Sequence, residues 1–143
     1  MRRLAAELGV HANAIYSYVR TKDELLDAIV DELLGDVPLP SEPPDDPRAA
    51  LFDVFRGSRR LLQRHPRLVS LVVARPKRGP NADRLTAAMD ALFPAAGLDR
   101  RLLGPMLIYL FGFAAMEAAR GDGGGPSDED FENGLAWLVR GAG

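Results

Sequence analysis

Apolar residues repeat at helical spacing in every patterned segment of this 143-residue chain, and no segment alternates apolar and polar residues as a strand would. In TKDELLDAIVDELLG, residues 21–35, the apolar residues share one helix face, and the acids, Asp31 among them, are expected to face outward. Thr21 and Glu24 have capping-box spacing, and Gly35 suits a left-handed helix end. The sequence therefore predicts an all-α fold.

Five prolines in DVPLPSEPPDDP, residues 36–47, interrupt the helical pattern and predict a proline-rich linker. The linker would separate one domain over residues 1–35 from another over residues 48–143. Helical spacing resumes beyond it and predicts helices over residues 48–64, 68–75, 82–96, 99–120 and 127–140. Pro105 is expected to kink or restart the fourth of these, and Gly97 to end the third.

The longest uncharged apolar run, LLGPMLIYLFGFAAM at residues 102–116, is shorter than the roughly 20 residues that cross a bilayer. We expect it to be a helix buried against more than one neighbour. The first residues do not have the pattern of a secretory signal, because Glu7 interrupts any apolar segment there. These features predict a cytoplasmic protein with no membrane partner.

Catalytic and metal chemistry have little support in the sequence. The chain has no cysteine and two histidines, His11 and His65, so a thiolate or all-histidine metal site is excluded. No nucleophile lies beside a base, and the glycine-rich stretch GDGGGP lacks the preceding strand and the lysine of a phosphate-binding loop. We expect no enzyme activity, no metal and no cofactor.

The formal net charge of −2 is unevenly distributed. Residues 1–22 carry +3, residues 23–46 contain nine acids and no base, residues 48–84 carry +8, and residues 85–143 carry −4. Electrostatic potential in salt acts over about 10 Å, so a locally basic end can meet nucleic acid although the whole chain is acidic. The bases of residues 48–84 are interpreted as a solvated helix surface.

The opening segment RRLAAELGVHANAIYSYV has the spacing of a helix-turn-helix. Ala5 is small enough to let two helices cross closely, and Gly9 permits the tight turn between them. The second helix exposes side chains that can contact bases or phosphates, and Lys22 begins the next helix. The predicted DNA-binding residues are Arg2, Arg3, Ala12, Asn13, Tyr16, Ser17, Tyr18 and Lys22. Arg2 and Arg3 are equally compatible with solvated charges, and one of the two tyrosines with core packing.

The motifs LAAELGV, IY and YVRTKDELLDAI resemble the DNA-binding domain of the TetR family of transcriptional repressors. The segments RHPRLVSLVVARPKRGPNADRL, GFAAMEAAR and DEDFENGLAWLVRG resemble the ligand-binding and dimer-forming domain of the tetracycline repressor branch. The resemblance implies DNA-backbone contacts by Tyr16 and Lys22. It also implies a helix before residue 1, which we expect this chain to lack. Leu71 stands where that branch has a metal-binding histidine, which disfavours a magnesium–tetracycline ligand.

A ligand site is predicted among the helices after residue 47. Met89, Phe93, Tyr109, Phe113 and Met116 are core residues by their spacing, and a cavity among them would suit a flat apolar effector. Polar anchors would come from Arg75, Asn81 and Glu117. His65 is assigned either to this pocket or to the end of a helix, where it would face the carbonyl dipole.

The resemblance implies that the chain is a homodimeric, effector-responsive repressor that binds a palindromic operator. Two reading helices would enter major grooves about 34 Å apart. The dimer would form through helices 99–120 and 127–140, with Phe131 and Trp137 as anchors. The alternative is a small-molecule-binding or dimerising helical module with a non-functional remnant of the DNA-binding domain.

Overall fold

The computed structural model describes residues 20–75, 79–121 and 125–141, and its regular elements are all helical. Two 3₁₀ turns, Pro66–Leu68 and Arg100–Leu102, precede the third and fifth helices. The six α-helices are α1 Lys22–Gly35, α2 Pro47–Arg64, α3 Val69–Ala74, α4 Pro80–Ala95, α5 Leu103–Arg120 and α6 Asp128–Arg140. The all-α prediction is confirmed. The predicted helix-turn-helix, within residues 1–19, lies outside the described residues.

Helix α1 begins as predicted and ends differently. The Thr21 hydroxyl accepts the Glu24 N–H at 3.1 Å, whereas the Glu24 carboxylate accepts the N–H of Arg20, at 2.7 Å, rather than that of Thr21. Gly35 remains helical, and Asp36 follows in the right-handed conformation. The predicted left-handed Gly35 is wrong, because the Asp36 and Val37 N–H groups bond back to Leu33 and Leu34 and close the helix without it.

The proline-rich segment packs onto the helix that follows it. Val37 is buried, and Gly57 of α2 leaves room for the Pro38 ring, which a side chain at position 57 would overlap. Asp46 caps α2 by accepting the N–H groups of Arg48 and Ala49 at 3.0 and 2.9 Å. The segment therefore fixes how α1 leads into α2. A domain boundary within it stays a prediction.

The turn between α4 and α5 sets the directions of the two helices. Gly97 has φ of 69°, and the Leu98 N–H bonds to the Phe93 carbonyl at 2.9 Å, which is the Schellman pattern of a helix end. Gly97 thus ends this helix as predicted. The helix predicted over residues 99–120 divides into the 3₁₀ turn Arg100–Leu102 and α5, and Pro105 lies in the first turn of α5, where its missing N–H leaves no helical bond unmade.

Helix α5 carries the centre of the core on one face only. Met106, Leu110 and Phe113 are buried against α2, α3 and α6, whereas Ile108 is 75% exposed. The expectation of burial against more than one neighbour is confirmed, and these neighbours cover one side of α5 and leave Ile108 exposed. Arg100–Arg120 is 21 residues long and contains an 18-residue window with mean hydropathy 1.6, so it also meets the length and composition of a membrane span, and length alone does not exclude one.

Candidate effector-binding cavity

A cavity of about 130 Å³ lies between α1, α2, α4 and α5. Its wall is mainly aliphatic and aromatic, with floor residues Val54 and Phe55 from α2 and Leu34 from α1. The thirteen residues around it are Leu34, Val54, Phe55, Ser58, Ala82, Leu85, Thr86, Met89, Arg100, Leu103, Leu107, Leu110 and Phe111. An apolar cavity with a few polar groups is the usual form of a small-molecule site.

Three of the lining residues are polar, and each is held by a contact within the fold. The Ser58 hydroxyl donates to the Val54 carbonyl at 2.8 Å, and the Thr86 hydroxyl donates to the Ala82 carbonyl at 2.9 Å. The Arg100 Nε donates to the Asp90 carboxylate at 2.6 Å. The Arg100 guanidinium also lies over the Phe93 ring, 5.7 Å from its centroid. The cavity is therefore apolar with fixed polar positions.

The start of α4, which forms one wall, is capped from another helix. Gly79 precedes α4 and has no side chain to cap it, and its φ is 123°. The Asp31 carboxylate of α1 takes this role, accepting the Ala82 N–H at 2.8 Å, the Asn81 N–H at 3.3 Å and the Asn81 amide at 3.2 Å. A Cβ on Gly79 would lie 2.5 Å from the Asp31 carboxyl carbon. Asp31 thus ties α1 to the cavity wall.

A second contact from α1 reaches the end of α3. Arg75 Nε donates to Asp27 at 2.6 Å, and Arg75 Nη2 donates to the Asp23 backbone and side chain at 3.0 and 3.1 Å. The hydrogen bond to Asp27 raises the pKa of Arg75, and the bond to Asp23 adds a smaller contribution. Asp27 and Asp31 are one helical turn apart, so α1 presents two carboxylates to the α3–α4 connection.

Arg59 of α2 is the charged residue at the centre of the helix packing. Its guanidinium lies over both the Phe113 and Phe131 rings, 4.9 and 4.8 Å from their centroids. It donates to Glu117 at 2.7 Å and pairs with Asp128 at 2.8 Å. Burial acts to lower the pKa of Arg59, but bonds from Glu117 and Asp128 outweigh it and raise that pKa. Arg59 therefore joins α2 to both α5 and α6.

Two further contacts hold α6. The Tyr109 hydroxyl donates to the Asp130 carbonyl at 2.9 Å, and Tyr109 fits over Gly134, where any side chain would overlap it. Burial, with a smaller contribution from Asp130, raises the pKa of Tyr109. Arg56 binds Glu132 through two N–H···O bonds of 2.7 and 2.6 Å, which lowers the pKa of that carboxyl.

A second cavity, of about 500 Å³, lies between the ends of α2 and α5 and is open to solvent. Glu117 and Gln63 line it, and they are bonded to each other at 2.9 Å. Within residues 20–75, 79–121 and 125–141, histidines and carboxylates do not cluster in a way that would hold a metal ion.

Two curated regulators resemble this sequence, although no family model matches it. An HTH-type transcriptional regulator of Saccharopolyspora erythraea is 38% identical over 100 residues, covering 70% of this chain and 42% of that protein. The HTH-type transcriptional repressor DrrR1 of Streptomyces coeruleorubidus is 37% identical over 123 residues, covering 80% of this chain and 44% of DrrR1. The chain spans less than half the length of either relative. Neither is named as an enzyme.

The fold matches that of ActR, a TetR family protein of Streptomyces coelicolor solved in complex with actinorhodin. The TM-score is 0.82 at 24% identity, over 100% of this chain and 88% of ActR. This chain therefore combines sequence similarity to helix-turn-helix transcriptional regulators with the fold of ActR. Its fold is that of TetR family proteins. The family resemblance of the sequence motifs is thereby confirmed.

The described residues include one of the predicted DNA-binding residues. Lys22 is exposed at the first position of α1. The other seven predicted residues lie outside the described residues: Arg2, Arg3, Ala12, Asn13, Tyr16, Ser17 and Tyr18. Their DNA-binding role stays a prediction.

The fold does not bring the predicted ligand-binding residues together. Met89 lines the 130 Å³ cavity and Glu117 lines the 500 Å³ cavity. Arg75 and Asn81 bind the α1 carboxylates, and His65 is an exposed residue at the end of α2. The remaining four lie in the core or on the surface: Phe93 is fully buried, Tyr109 and Phe113 pack around Phe131, and Met116 is 46% exposed. Of the nine, Met89 alone is on the apolar cavity wall.

Two orientations inferred from the TetR-like sequence are wrong. Asp31, expected to face outward, is 8% exposed because it caps α4. Phe131, expected to anchor a dimer, has no exposed surface because it packs between Tyr109 and Phe113 under the Arg59 guanidinium. Trp137, the other expected anchor, is 68% exposed.

Sequence reasoning did not identify Arg59 or the Ser58, Thr86 and Arg100 positions. A signal for Arg59 was present, since it lies four residues after Phe55 and three before Leu62, on the apolar face of α2. Ser58 lies on that face too, three residues after Phe55. Identifying the cavity required knowing which helix faces meet, and periodicity within one helix does not contain that information.

Proposed function

We propose that this chain is part of a DNA-binding transcriptional repressor that a small-molecule effector releases from its operator. The observation that carries the proposal is the apolar cavity enclosed by α1, α2, α4 and α5, because α1 directly follows the predicted reading head. Such a regulator acts on cytoplasmic DNA. The names of the two curated relatives, a regulator and a repressor, support the DNA-binding part.

The effector part is supported by the position of the cavity and by a structural neighbour. ActR was solved with the small molecule actinorhodin bound. In this chain, α4 forms a cavity wall and is bonded to α1 through Asp31. An occupant that displaces α4 would also displace the helix joined to the reading head. Release then follows if the occupant binds the displaced state more tightly than the operator-bound state.

A palindromic operator requires a dimer, and the exposed apolar side chains support one. Among the described residues, four large apolar side chains are strongly exposed, and three of them, Ile108, Met116 and Trp137, lie on α5 or α6. Large apolar groups exposed on adjoining helices mark a surface that a partner covers. We assign the homodimer interface to α5 and α6, with Trp137 and Ile108 as its anchors.

A gel-shift titration with DNA from upstream of the gene tests the DNA-binding part. Tyr16→Ala and Lys22→Ala are expected to weaken binding to every duplex by a similar factor, because phosphate contacts carry little sequence information. Arg67→Ala, in the 3₁₀ turn Pro66–Leu68, is the matched loss of one exposed positive charge outside α5 and α6 and should leave affinity unchanged. Wild-type protein that binds the upstream DNA no better than a scrambled duplex would favour the non-DNA-binding alternative.

A further inference from the structure

We propose that the 130 Å³ cavity takes a single-ring aromatic acid that carries a hydroxyl group, that is, a hydroxyaryl carboxylate. The inference rests on the proposed function, since it names the effector class of the same cavity. Three observations support the proposal: the volume of the cavity, the hydrogen bonds that Ser58 and Thr86 already donate within their helices, and the partly exposed Arg100 guanidinium.

The volume sets the size of the ligand. An enclosed apolar cavity of about 150 Å³ accommodates benzene, so a partly open cavity of about 130 Å³ holds one aromatic ring whose acid group extends to the open side. Three of the lining residues, Leu34, Phe55 and Leu110, have little exposed surface. Protein interiors are close-packed, and a polycyclic ligand would have to displace these side chains or their helices. A single ring meets no such obstacle.

The two wall hydroxyls donate their protons within their own helices and offer a ligand their acceptor lone pairs. A hydroxyl has one proton and two acceptor lone pairs. The Ser58 proton goes to the Val54 carbonyl and the Thr86 proton goes to the Ala82 carbonyl, each within the same helix. Only lone pairs remain for a ligand. The ligand group that meets either residue must therefore donate, as a phenolic hydroxyl does, whereas a bare carbonyl or ether oxygen would find no donor there.

Arg100 offers a ligand hydrogen-bond donors and a positive charge, in contrast to the acceptors of Ser58 and Thr86. Its side chain is 37% exposed, and its guanidinium is held by the Asp90 carboxylate and the Phe93 ring. The bond to Asp90 uses Nε, and a guanidinium has five N–H donors, so further donors remain for a ligand. A carboxylate accepts two such bonds at once and is the best match for a planar guanidinium. An amine at this position would be repelled. The ligand's acid group therefore belongs at the Arg100 side.

Calorimetric titration of the purified protein with matched compounds tests the assignment. The probes are 3- and 4-hydroxybenzoate, benzoate, which lacks the donor, and phenol, which lacks the acid. We expect at least one hydroxybenzoate to bind about tenfold more tightly than benzoate and more tightly than phenol, because one added hydrogen bond is worth up to about that factor. Benzoate binding as tightly as both hydroxybenzoates, or no binding by any probe, would overturn the proposal.

Variants show which wall residue meets which group. Arg100→Met should weaken hydroxybenzoate and benzoate and leave phenol unchanged. Ser58→Ala and Thr86→Val together should weaken hydroxybenzoate and phenol and leave benzoate unchanged. The probe that each variant still binds reports that its cavity is folded. Equal losses for all probes in both variants would contradict the assigned polarity.

An operator titration keeps this inference separate from the proposed function. Hydroxybenzoate binding by a protein that binds no operator would support the ligand class and reject the repressor. Operator binding by a protein that takes up none of the probes would reject the ligand class alone.

Discussion

The Asp31 carboxylate of α1 accepts the backbone N–H of Ala82, in the first turn of α4, at 2.8 Å. A helix start leaves backbone donors unpaired, and they are usually satisfied by a side chain just before the helix. Here that position is Gly79, and the cap comes from a residue 48 positions earlier in the chain. The bond joins the helix that follows the predicted reading head to a wall of the cavity.

Replacing Asp31 with alanine should lower the free energy of unfolding by about 1–3 kcal/mol, because it leaves buried N–H groups without an acceptor. The measurement is urea unfolding followed by far-ultraviolet circular dichroism. Glu32→Ala is the control, since Glu32 is the neighbouring acid on the same helix and is exposed. Equal effects of the two substitutions would show that the cap does not stabilise the fold.

Replacing Arg59 with alanine should be among the most destabilising changes in the chain. It removes the charge paired with Glu117, whose side chain is 16% exposed, and breaking a buried ion pair by deleting one partner costs about 3–5 kcal/mol. Arg59→Lys should recover only part of the loss, because lysine lacks the planar group that contacts the Phe113 and Phe131 rings. Unfolding midpoints measure both.

Asp128→Ala is the matched control for Arg59, because the Asp128 side chain is 92% exposed although it pairs with the same guanidinium. Exposed ion pairs contribute little, so the change should be under about 1 kcal/mol. A loss as large as that of Arg59→Ala would mean that the exposed pair dominates instead.

The Arg56–Glu132 pair should make the free energy of unfolding depend on pH. Its bond lowers the pKa of the Glu132 carboxyl below its usual value of 4.5. A carboxyl with a lowered folded-state pKa stabilises the fold above its unfolded-state value, and that contribution disappears as pH falls through the folded-state pKa. Wild-type protein should therefore exceed Glu132→Gln in stability at pH 7 by more than at pH 3. Urea unfolding at both pH values measures the difference, and a pH-independent gap would contradict the assignment.

Ile108→Glu should dissociate the proposed homodimer, because it places a charge in the exposed apolar face of α5. We expect dimerisation to weaken by at least about 1 kcal/mol, measured by sedimentation equilibrium. Val73→Glu is the matched control, since Val73 is 53% exposed on α3, away from the proposed interface. A monomeric wild-type protein, or equal effects of the two variants, would reject the interface.

Local chemistry accounts for the helices that the sequence predicted well. Ser127 and Asp130 bond reciprocally at the start of α6, the helix predicted over residues 127–140, and Gly97 ends α4 as predicted. These signals lie within a few residues of the structure they determine. Asp31, in contrast, looks like one more acid on a solvated helix face, because its partners are about fifty residues away in the sequence. The same holds for Arg59, whose partners lie on α5 and α6.

The predicted ligand site was likewise limited because the sequence does not show how distant helices are placed. Met89 and Phe93 are one helical turn apart on α4, yet only Met89 reaches the cavity, while Phe93 is closed under Arg100. Helical spacing identifies residues that face inward, and how neighbouring helices are placed decides which of them border an opening.

Hydroxyl-radical footprinting of the upstream DNA, with wild-type protein and with Ile108→Glu, tests the central claim that this chain serves a dimeric DNA reader. The account predicts two equivalent protected patches for wild type, centred about one helical turn, roughly 34 Å, apart, and weaker protection of both for the variant. A single protected patch, or cleavage that wild-type protein leaves unchanged along the whole duplex, would contradict it.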